Sequence, residues 1–382
     1  MSRNLLCELK LNSQLFIKAR SCTLPFCHRT LDQSIRSSSS RNITEIRAAE
    51  LNEVMIRPDK IKCCAMFVRR EVDIRLAKSI SILNSIQKAF PIKNAIFEVR
   101  QSYINAYKAL QTLPDTQKPF NLNKTWDILE FIDNVIPFVL DSTADAVIEL
   151  PECFIASDYT DELNSELDSF FILRISIRTI CNQLRLLCYC DVEGLDPQLV
   201  DNCFVSNINL LEFIRKAWLD ASNVWQQDYS ETCPHYIIND DSSGKLLIHI
   251  PSYLHHILFE LIKNAMQALK ECSLNLDEEP VKINLKYNPS YTFIEIINNG
   301  GSLSIDDLEN VFKYRYRVFR SECKRLSGLG YGLPLSRLYA RFLSGDIMLE
   351  NTENGRGVKS VLSLRNQFEE KLENFSHLKK MP

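Results

Sequence analysis

Over residues 254–272 the chain reads LHHILFELIKNAMQALKEC, and Leu254, Leu258, Leu261, Ile262, Ala265 and Leu269 recur at the helical period. That pattern predicts an amphipathic helix with a broad apolar face. His256, Glu260 and Asn264 stand four residues apart, which predicts one polar stripe along the same helix. A polar stripe is ordinarily a solvated face. These three side chains also have chemical uses: a carboxylate can accept a proton, an imidazole can tune it, and an amide oxygen suits Mg²⁺.

Upstream, helical periodicity dominates from residue 51 to about 229, in runs 67–86, 94–113, 126–150, 162–190 and 209–229. Long striped runs with short polar joints predict a helical bundle. Residues 228–245, with Pro234 and the sequence NDDSSGK, read as a linker. Downstream the period changes. A short strand at 246–250 precedes the central helix, and 281–287 and 292–297 alternate as strands around an NPSY turn. A short helix near 306–313, a basic stretch at 314–327, a helix at 333–343 and strands at 346–350 and 358–364 complete the pattern. The expected fold is a two-domain α + α/β chain: an N-terminal helical bundle over 50–229 and a mostly antiparallel α+β sandwich over 246–366, with helices on one face. A polar tail occupies 367–382.

Glycine sharpens the division. None of the ten glycines precedes Gly194, and eight lie between Gly300 and Gly357, so sharp turns and close backbone approaches concentrate in the second half. The bulk composition is that of a globular protein, with 45% hydrophobic and 24% charged residues. A net charge of -3 gives no electrostatic case for nucleic acid, and no apolar run is long enough for a membrane span. The 13 cysteines lack any C-x-x-C pair, so neither a zinc site nor a disulfide framework is indicated. Residues 1–42 carry Arg3, Lys10, Lys18, Arg20, Arg29, Arg36 and Arg41 against only Glu8 and Asp32, with serines at 37–40. This composition reads as a mitochondrial transit peptide.

Three pieces carry the candidate chemistry. The stripe on the central helix is the first. Asn298, Asn299, Gly300 and Gly301 follow a strand, and Gly328, Leu329, Gly330, Tyr331, Gly332, Leu333 and Pro334 open a helix. Glycines at a helix start let backbone N–H groups cradle phosphate. Such a loop alone is a weak signal; its position behind E-x-x-x-N on an apolar helix strengthens it.

In that order the motifs resemble the GHKL (Bergerat-fold) ATPases. FELIKNAMQAL, GLGYGLPLSRLYARFLSGD and LRISIRTICNQ are similar to one branch, the mitochondrial kinases of pyruvate dehydrogenase and branched-chain 2-oxoacid dehydrogenase. FVRREVDIRLAKSISIL and RQSY also resemble that family's helical domain, and the likeness runs from about residue 50 to 365. The resemblance implies a matrix serine kinase that uses ATP and Mg²⁺ to phosphorylate and inactivate the E1α subunit of the pyruvate dehydrogenase complex, docked on the lipoyl domain of E2, as a homo- or heterodimer. A branched-chain complex kinase and a catalytically weak regulatory homologue with an altered adenine pocket are the alternatives.

By the same resemblance, Glu260 is the base and His256 its modulating partner. Asn264 holds Mg²⁺. Asn298, Gly300 and Gly301 face the base of the nucleotide, and Gly328, Leu329, Gly330, Tyr331, Gly332 and Leu333 face its phosphates. Arg320 belongs, with Lys313, Arg315, Arg317, Lys324 and Arg325, to a short ATP lid. Arg174 and Arg178, one helical turn apart, match a pocket for a small regulatory carboxylate. Three departures stand out. Asn298 replaces the family's Asp, Val358 replaces a Thr in the same adenine pocket, and the polar tail stands where the family has a Trp-containing extension.

Overall fold

The computed structural model describes residues 28–43, 58–89, 95–112, 131, 161–193, 205–229, 232–241, 247–274, 276, 278–314, 316–318 and 330–366. Four of its helices pack as a bundle: α1 (His28–Ser39), α2 (Pro58–Ala89), α3 (Ala95–Thr112) and α4 (Asp161–Glu193). Pro58 opens α2 at a position where its missing N–H is harmless, and Asp161 and Glu162 suit the positive end of α4. Val68, Val72, Leu76, Ile80 and Leu83, spaced three to four apart, are buried against Phe170, Leu173 and Ile177 of α4 in one core. Of the expected 126–150 helix only Phe131, helical and buried, lies among the described residues.

Helix α1 corrects the expectation of a leader reaching residue 42. Leu31 and Ile35 are buried in the bundle core, and the Ser38 hydroxyl donates to Asp73 Oδ2 at 2.7 Å. The Ser34 and Ser38 hydroxyls each lie 3.0 Å from the Tyr107 hydroxyl. Serines four apart form an inward polar seam here, which a compositional reading of Arg and Ser cannot distinguish from a targeting segment. Residues 1–27 lie outside the described ones.

The second core surrounds a five-stranded sheet in the order β2 (Tyr236–Asp240), β4 (Val281–Tyr287), β5 (Tyr291–Asn298), β7 (Val358–Arg365), β6 (Asp346–Asn351). The β2–β4 pair is parallel and the others antiparallel. Strand β2 corrects the linker expected over 228–245. As an edge strand, largely exposed, it lacks the alternation that marks a half-buried strand. β3 (Leu247–His249) stays out of this sheet and pairs with β1 (Val205–Ile208), a strand the sequence pattern did not indicate.

The central helix is α6 (Pro251–Glu271). It lays Leu254, Leu258, Leu261, Ile262 and Leu269 against Ile283, Ile294, Ile296 and Leu362 of the sheet. Helix α5 (Leu210–Asp228) shares that core through Ile214, Ala217, Trp218, Ala221 and Trp225. The expected bundle boundary at 229 is thereby corrected: amphipathicity foretells a buried face without saying which partner covers it. Two further helices complete the unit, α7 (Ile305–Asn310) and α8 (Gly332–Phe342). Helix α8 touches both α6 and α4, and its Leu338 and Phe342 join the bundle core with Tyr253, Tyr314 and Tyr331.

Candidate active site

Glu260, Lys263, Asn264 and Gln267 fall on one side of α6 by helical spacing, and all four line a cleft between that helix, the end of β5 and the start of α8. The cleft encloses about 910 Å³ including space open to solvent. Leu303, Val311, Tyr316, Arg317, Val318, Leu349, Val358 and Ser360 complete the walls with the glycines.

Glycine is required at two of these positions by close approach. A Cβ on Gly300 would lie 2.3 Å from the Ala268 carbonyl carbon, so the turn after β5 rests directly on the α6 backbone. A Cβ on Gly332 would lie 2.0 Å from Glu260 Oε2. The carboxylate of α6 therefore abuts the first turn of α8, where N–H groups without intrahelical partners collect. Gly330, with φ +78°, leads into that turn.

Glu260 is 9% exposed. Its Oε1 accepts from Lys263 Nζ at 2.8 Å, and the Lys263 ammonium sits 5.3 Å from the Phe259 ring centroid. Lys263 is thus the hydrogen-bonded partner of the carboxylate, and His256 stands near enough for the Glu260 charge to act on its ring. His256 lies edge-on to Tyr339 at 5.3 Å, and its Nε2 is buried without a hydrogen-bond partner among the described residues. Burial lowers the His256 pKa, with the Glu260 charge opposing and Lys263 and His255 adding to the fall. A neutral imidazole behind the carboxylate is the consequence. Asn264, partly exposed one turn beyond Glu260, makes no side-chain hydrogen bond among the described residues, so its amide oxygen is open to a cation in the cleft.

Asn298 closes the far wall. Its Oδ1 accepts from the Gly300 N–H at 2.9 Å, a turn-forming contact, and its Nδ2 donates to the Val358 carbonyl at 3.4 Å. Gly301, at φ +80°, donates its N–H to the Arg356 carbonyl at 3.1 Å. Among the described residues no group of three His, Cys, Asp or Glu side chains could hold a metal by itself.

Of the residues expected to form the site, Glu260, Asn264, Asn298, Gly300, Gly301, Gly330, Gly332 and Leu333 meet in the cleft. Tyr331 does not: its ring packs on Tyr314, centroids 5.6 Å apart, in the bundle core. Arg320, Gly328 and Leu329 lie outside the described residues, as do Arg315, Lys324 and Arg325. Arg174 and Arg178 are on α4, apart from the cleft lining. Both sit close enough to Tyr253 for their charges to lower its pKa, against a larger rise from burial. Its hydroxyl lies 2.9 Å from Thr179 Oγ1. Lys263, Gln267 and Ser360 went unread in the sequence. Lys263 and Gln267 lie three and seven residues past Glu260, and Ser360 lies two past Val358, so the helix and strand periods carry that signal.

Comparison with known proteins follows this division of the chain. A family model described as "Mitochondrial branched-chain alpha-ketoacid dehydrogenase kinase" matches residues 46–192. One described as "Histidine kinase-, DNA gyrase B-, and HSP90-like ATPase" matches residues 249–367. The chain is 29% identical to the human "[Pyruvate dehydrogenase (acetyl-transferring)] kinase isozyme 1, mitochondrial", over 80% of this chain and 73% of that one. It is 25% identical to the Arabidopsis thaliana "[Pyruvate dehydrogenase (acetyl-transferring)] kinase, mitochondrial", over 78% and 84%. The human isozyme 4 gives 26% over 80% and 77%. Among solved structures, the catalytic domain of the histidine kinase ThkA aligns at 21% identity with a TM-score of 0.33, covering 43% of this chain and 97% of that one. A dehydrogenase-kinase helical domain followed by an ATP-binding GHKL domain, with relatives that span both, places this chain in the family of mitochondrial pyruvate dehydrogenase and branched-chain 2-oxoacid dehydrogenase protein kinases.

Proposed function

We propose that this chain is a mitochondrial-matrix serine kinase that phosphorylates, and so inactivates, the E1α subunit of the pyruvate dehydrogenase complex, docking on the lipoyl domain of E2. The observation that carries the reading is the contact of Glu260 with Gly332: a proton acceptor is held against the helix start that would face the phosphates. Phosphoryl transfer asks mainly for positioning and charge neutralisation. Glu260 would take the serine hydroxyl proton, and Lys263 holds that carboxylate in one orientation. Gly330 and Gly332 allow the backbone to approach the phosphates, and Asn264 would hold Mg²⁺ through its amide oxygen. The bound Mg·nucleotide supplies the phosphoryl group.

The branched-chain complex is the near alternative target; the pyruvate dehydrogenase kinases among the relatives favour the first. A regulatory homologue with little activity is the second reading, favoured by Asn298 and Val358 in the base-facing wall. Label transfer from γ-labelled Mg·ATP to purified pyruvate dehydrogenase E1, and in parallel to branched-chain E1, tests all three with E2 supplied. Glu260→Gln is the control, expected to keep nucleotide binding and lose transfer by about 10²–10⁴-fold. Transfer to one E1 identifies the target. No transfer to either, from folded protein, removes the kinase reading in favour of the regulatory one.

A further inference from the structure

The proposed transfer uses the carboxylate and the amide of the cleft and leaves one charge without a role. Among the described residues, the charged side chains that line the cleft are Glu260, Lys263 and Arg317. Glu260 and Lys263 form a pair at 2.8 Å and offset each other. Arg317 is exposed and makes no hydrogen bond or ion pair among the described residues. A guanidinium is always charged and presents its donors in a planar fork. The cleft therefore carries one cation whose donors are uncommitted.

The backbone before Arg317 is tied down on both sides of the cleft. Tyr314 is bonded to Asp168 and Asn164 of α4. Tyr316 turns the other way, and its hydroxyl donates to Asp307 Oδ1 at 2.7 Å. Asp307 Oδ2 accepts from the Ser304 hydroxyl at 2.7 Å and from the Ser304 N–H at 3.0 Å, the capping box that starts α7. Hydrogen bonding to Asp307 pushes the Tyr316 pKa up to about 12, so the phenol keeps its proton and stays the donor. Tyr316 and Val318 line the cleft on either side of Arg317. The Tyr314 ring packs on Tyr331, centroids 5.6 Å apart, directly before Gly332 at the start of α8. Three residues of chain span at most about 11 Å, so Arg317 is anchored beside that helix start.

We infer that Arg317 binds the phosphate chain of the nucleotide, and that the Tyr316–Asp307 bond holds it over the cleft. The inference rests on the cleft being a nucleoside triphosphate site, as proposed above, and names the side chain that meets its charge. A magnesium ion leaves part of the triphosphate charge uncovered, and a guanidinium fork matches two phosphate oxygens at once. Lys263 is not free for this while it holds Glu260. Tyr316 is a positioning residue, acting through Arg317.

Calorimetric titration of the full chain with Mg·ATP, at low and at physiological salt, tests this without a protein acceptor. Arg317→Gln is expected to bind Mg·ATP about tenfold more weakly at low salt, the effect of losing one charge-assisted hydrogen bond. Its affinity is also expected to depend less on salt than that of the wild type. Arg317→Lys, which keeps the charge and loses the fork, is expected to fall between the two. Tyr316→Phe is expected to weaken binding less than Arg317→Gln and to add nothing to it in the double variant; fully additive losses would remove Tyr316 from its role. Unchanged affinity in Arg317→Gln overturns the inference and leaves the nucleotide site standing. A loss of the same size at both salt concentrations also overturns it, because a charge contact at an exposed side chain is screened. Failure of the wild type to bind Mg·ATP overturns both.

Discussion

Tyr314 donates its hydroxyl hydrogen to Asp168 Oδ1 at 2.6 Å, joining residues 146 positions apart. Its backbone N–H donates to Asn164 Oδ1 at 3.1 Å, and its ring lies between Phe171 and Tyr331, at 5.5 and 5.6 Å. Tyr314 and Tyr331 bracket the basic and glycine-rich stretch; Tyr314 is fastened to helix α4, and Tyr331 packs on Tyr314 in the bundle core. Burial raises the Asp168 pKa above the usual carboxylate range, while the Tyr314 hydrogen bond and the Arg341 and Arg337 charges oppose that rise. Tyr314→Phe keeps the ring and removes the donor. It is expected to lower stability by about 1 kcal/mol, the net worth of one partly buried hydrogen bond. Urea unfolding of Tyr314→Phe, Asp168→Asn and the double variant measures the coupling directly; strictly additive losses would show that the bond does not join the halves.

Gly300 and Gly332 separate stability from chemistry. Alanine at 300 meets the backbone of α6 at Ala268, which cannot yield without shifting the helix. Overpacking of this kind costs about 1–3 kcal/mol, so Gly300→Ala is expected to lower the urea midpoint. Alanine at 332 meets the end of the Glu260 side chain, which can swing away at the expense of its Lys263 contact. Gly332→Ala is expected to unfold within about 1 kcal/mol of wild type, as a displaced side chain end allows, yet to lose transfer at least about tenfold. Equal stability losses in the two variants would contradict this division.

In the proposed transfer Lys263 is a positioning residue, acting through Glu260. Lys263→Met removes a charge-assisted hydrogen bond to the carboxylate, a contact worth about 1.5–3 kcal/mol. If that contact is expressed in the reaction, kcat falls about 10–100-fold while calorimetric nucleotide affinity changes little. Loss of both in equal measure would instead assign Lys263 to nucleotide binding.

Much of the sheet and cleft was legible because periodicity and glycine placement are local signals. The strand 281–287 matches its expected bounds, and the helix α6 stripe delivers Glu260 and Asn264 to one cleft. What stayed hidden depends on partners distant in sequence. Helix α1 is legible as packed only once Tyr107 and Asp73 are known to receive its serines. The edge strand β2 owes its existence to the β4 backbone rather than to its own pattern. The direct partner of Glu260 lay three residues away on the same helix, within reach of the period. His256, four residues back, drew the reading because it shares the polar stripe and the resemblance assigned it a role.

His249 makes a pH-dependent contribution to stability with a definite sign. It is 1% exposed, its Nδ1 lies 3.1 Å from the Ile250 carbonyl, and Nε2 has no hydrogen-bond partner among the described residues. Burial lowers its pKa to about 4, against a partial rise from the Ile250 contact. In the unfolded chain an imidazole titrates near about 6.5. Between those values the unfolded chain binds a proton that the folded chain refuses, so stability is complete above the upper value and declines as pH falls toward the lower one. At about 1.4 kcal/mol per pH unit, the decline reaches about 3 kcal/mol. Replacing the ring by a non-titrating amide, His249→Gln, costs stability at neutral pH but removes this slope. Urea unfolding from pH 7 to 4 is therefore expected to show the gap between wild type and variant narrowing by about 3 kcal/mol. Carboxylate titrations common to both proteins cancel in that difference. A gap that stays constant with pH would mean that the folded chain accepts the proton as readily as the unfolded one, and the ring would then have to be reached by water.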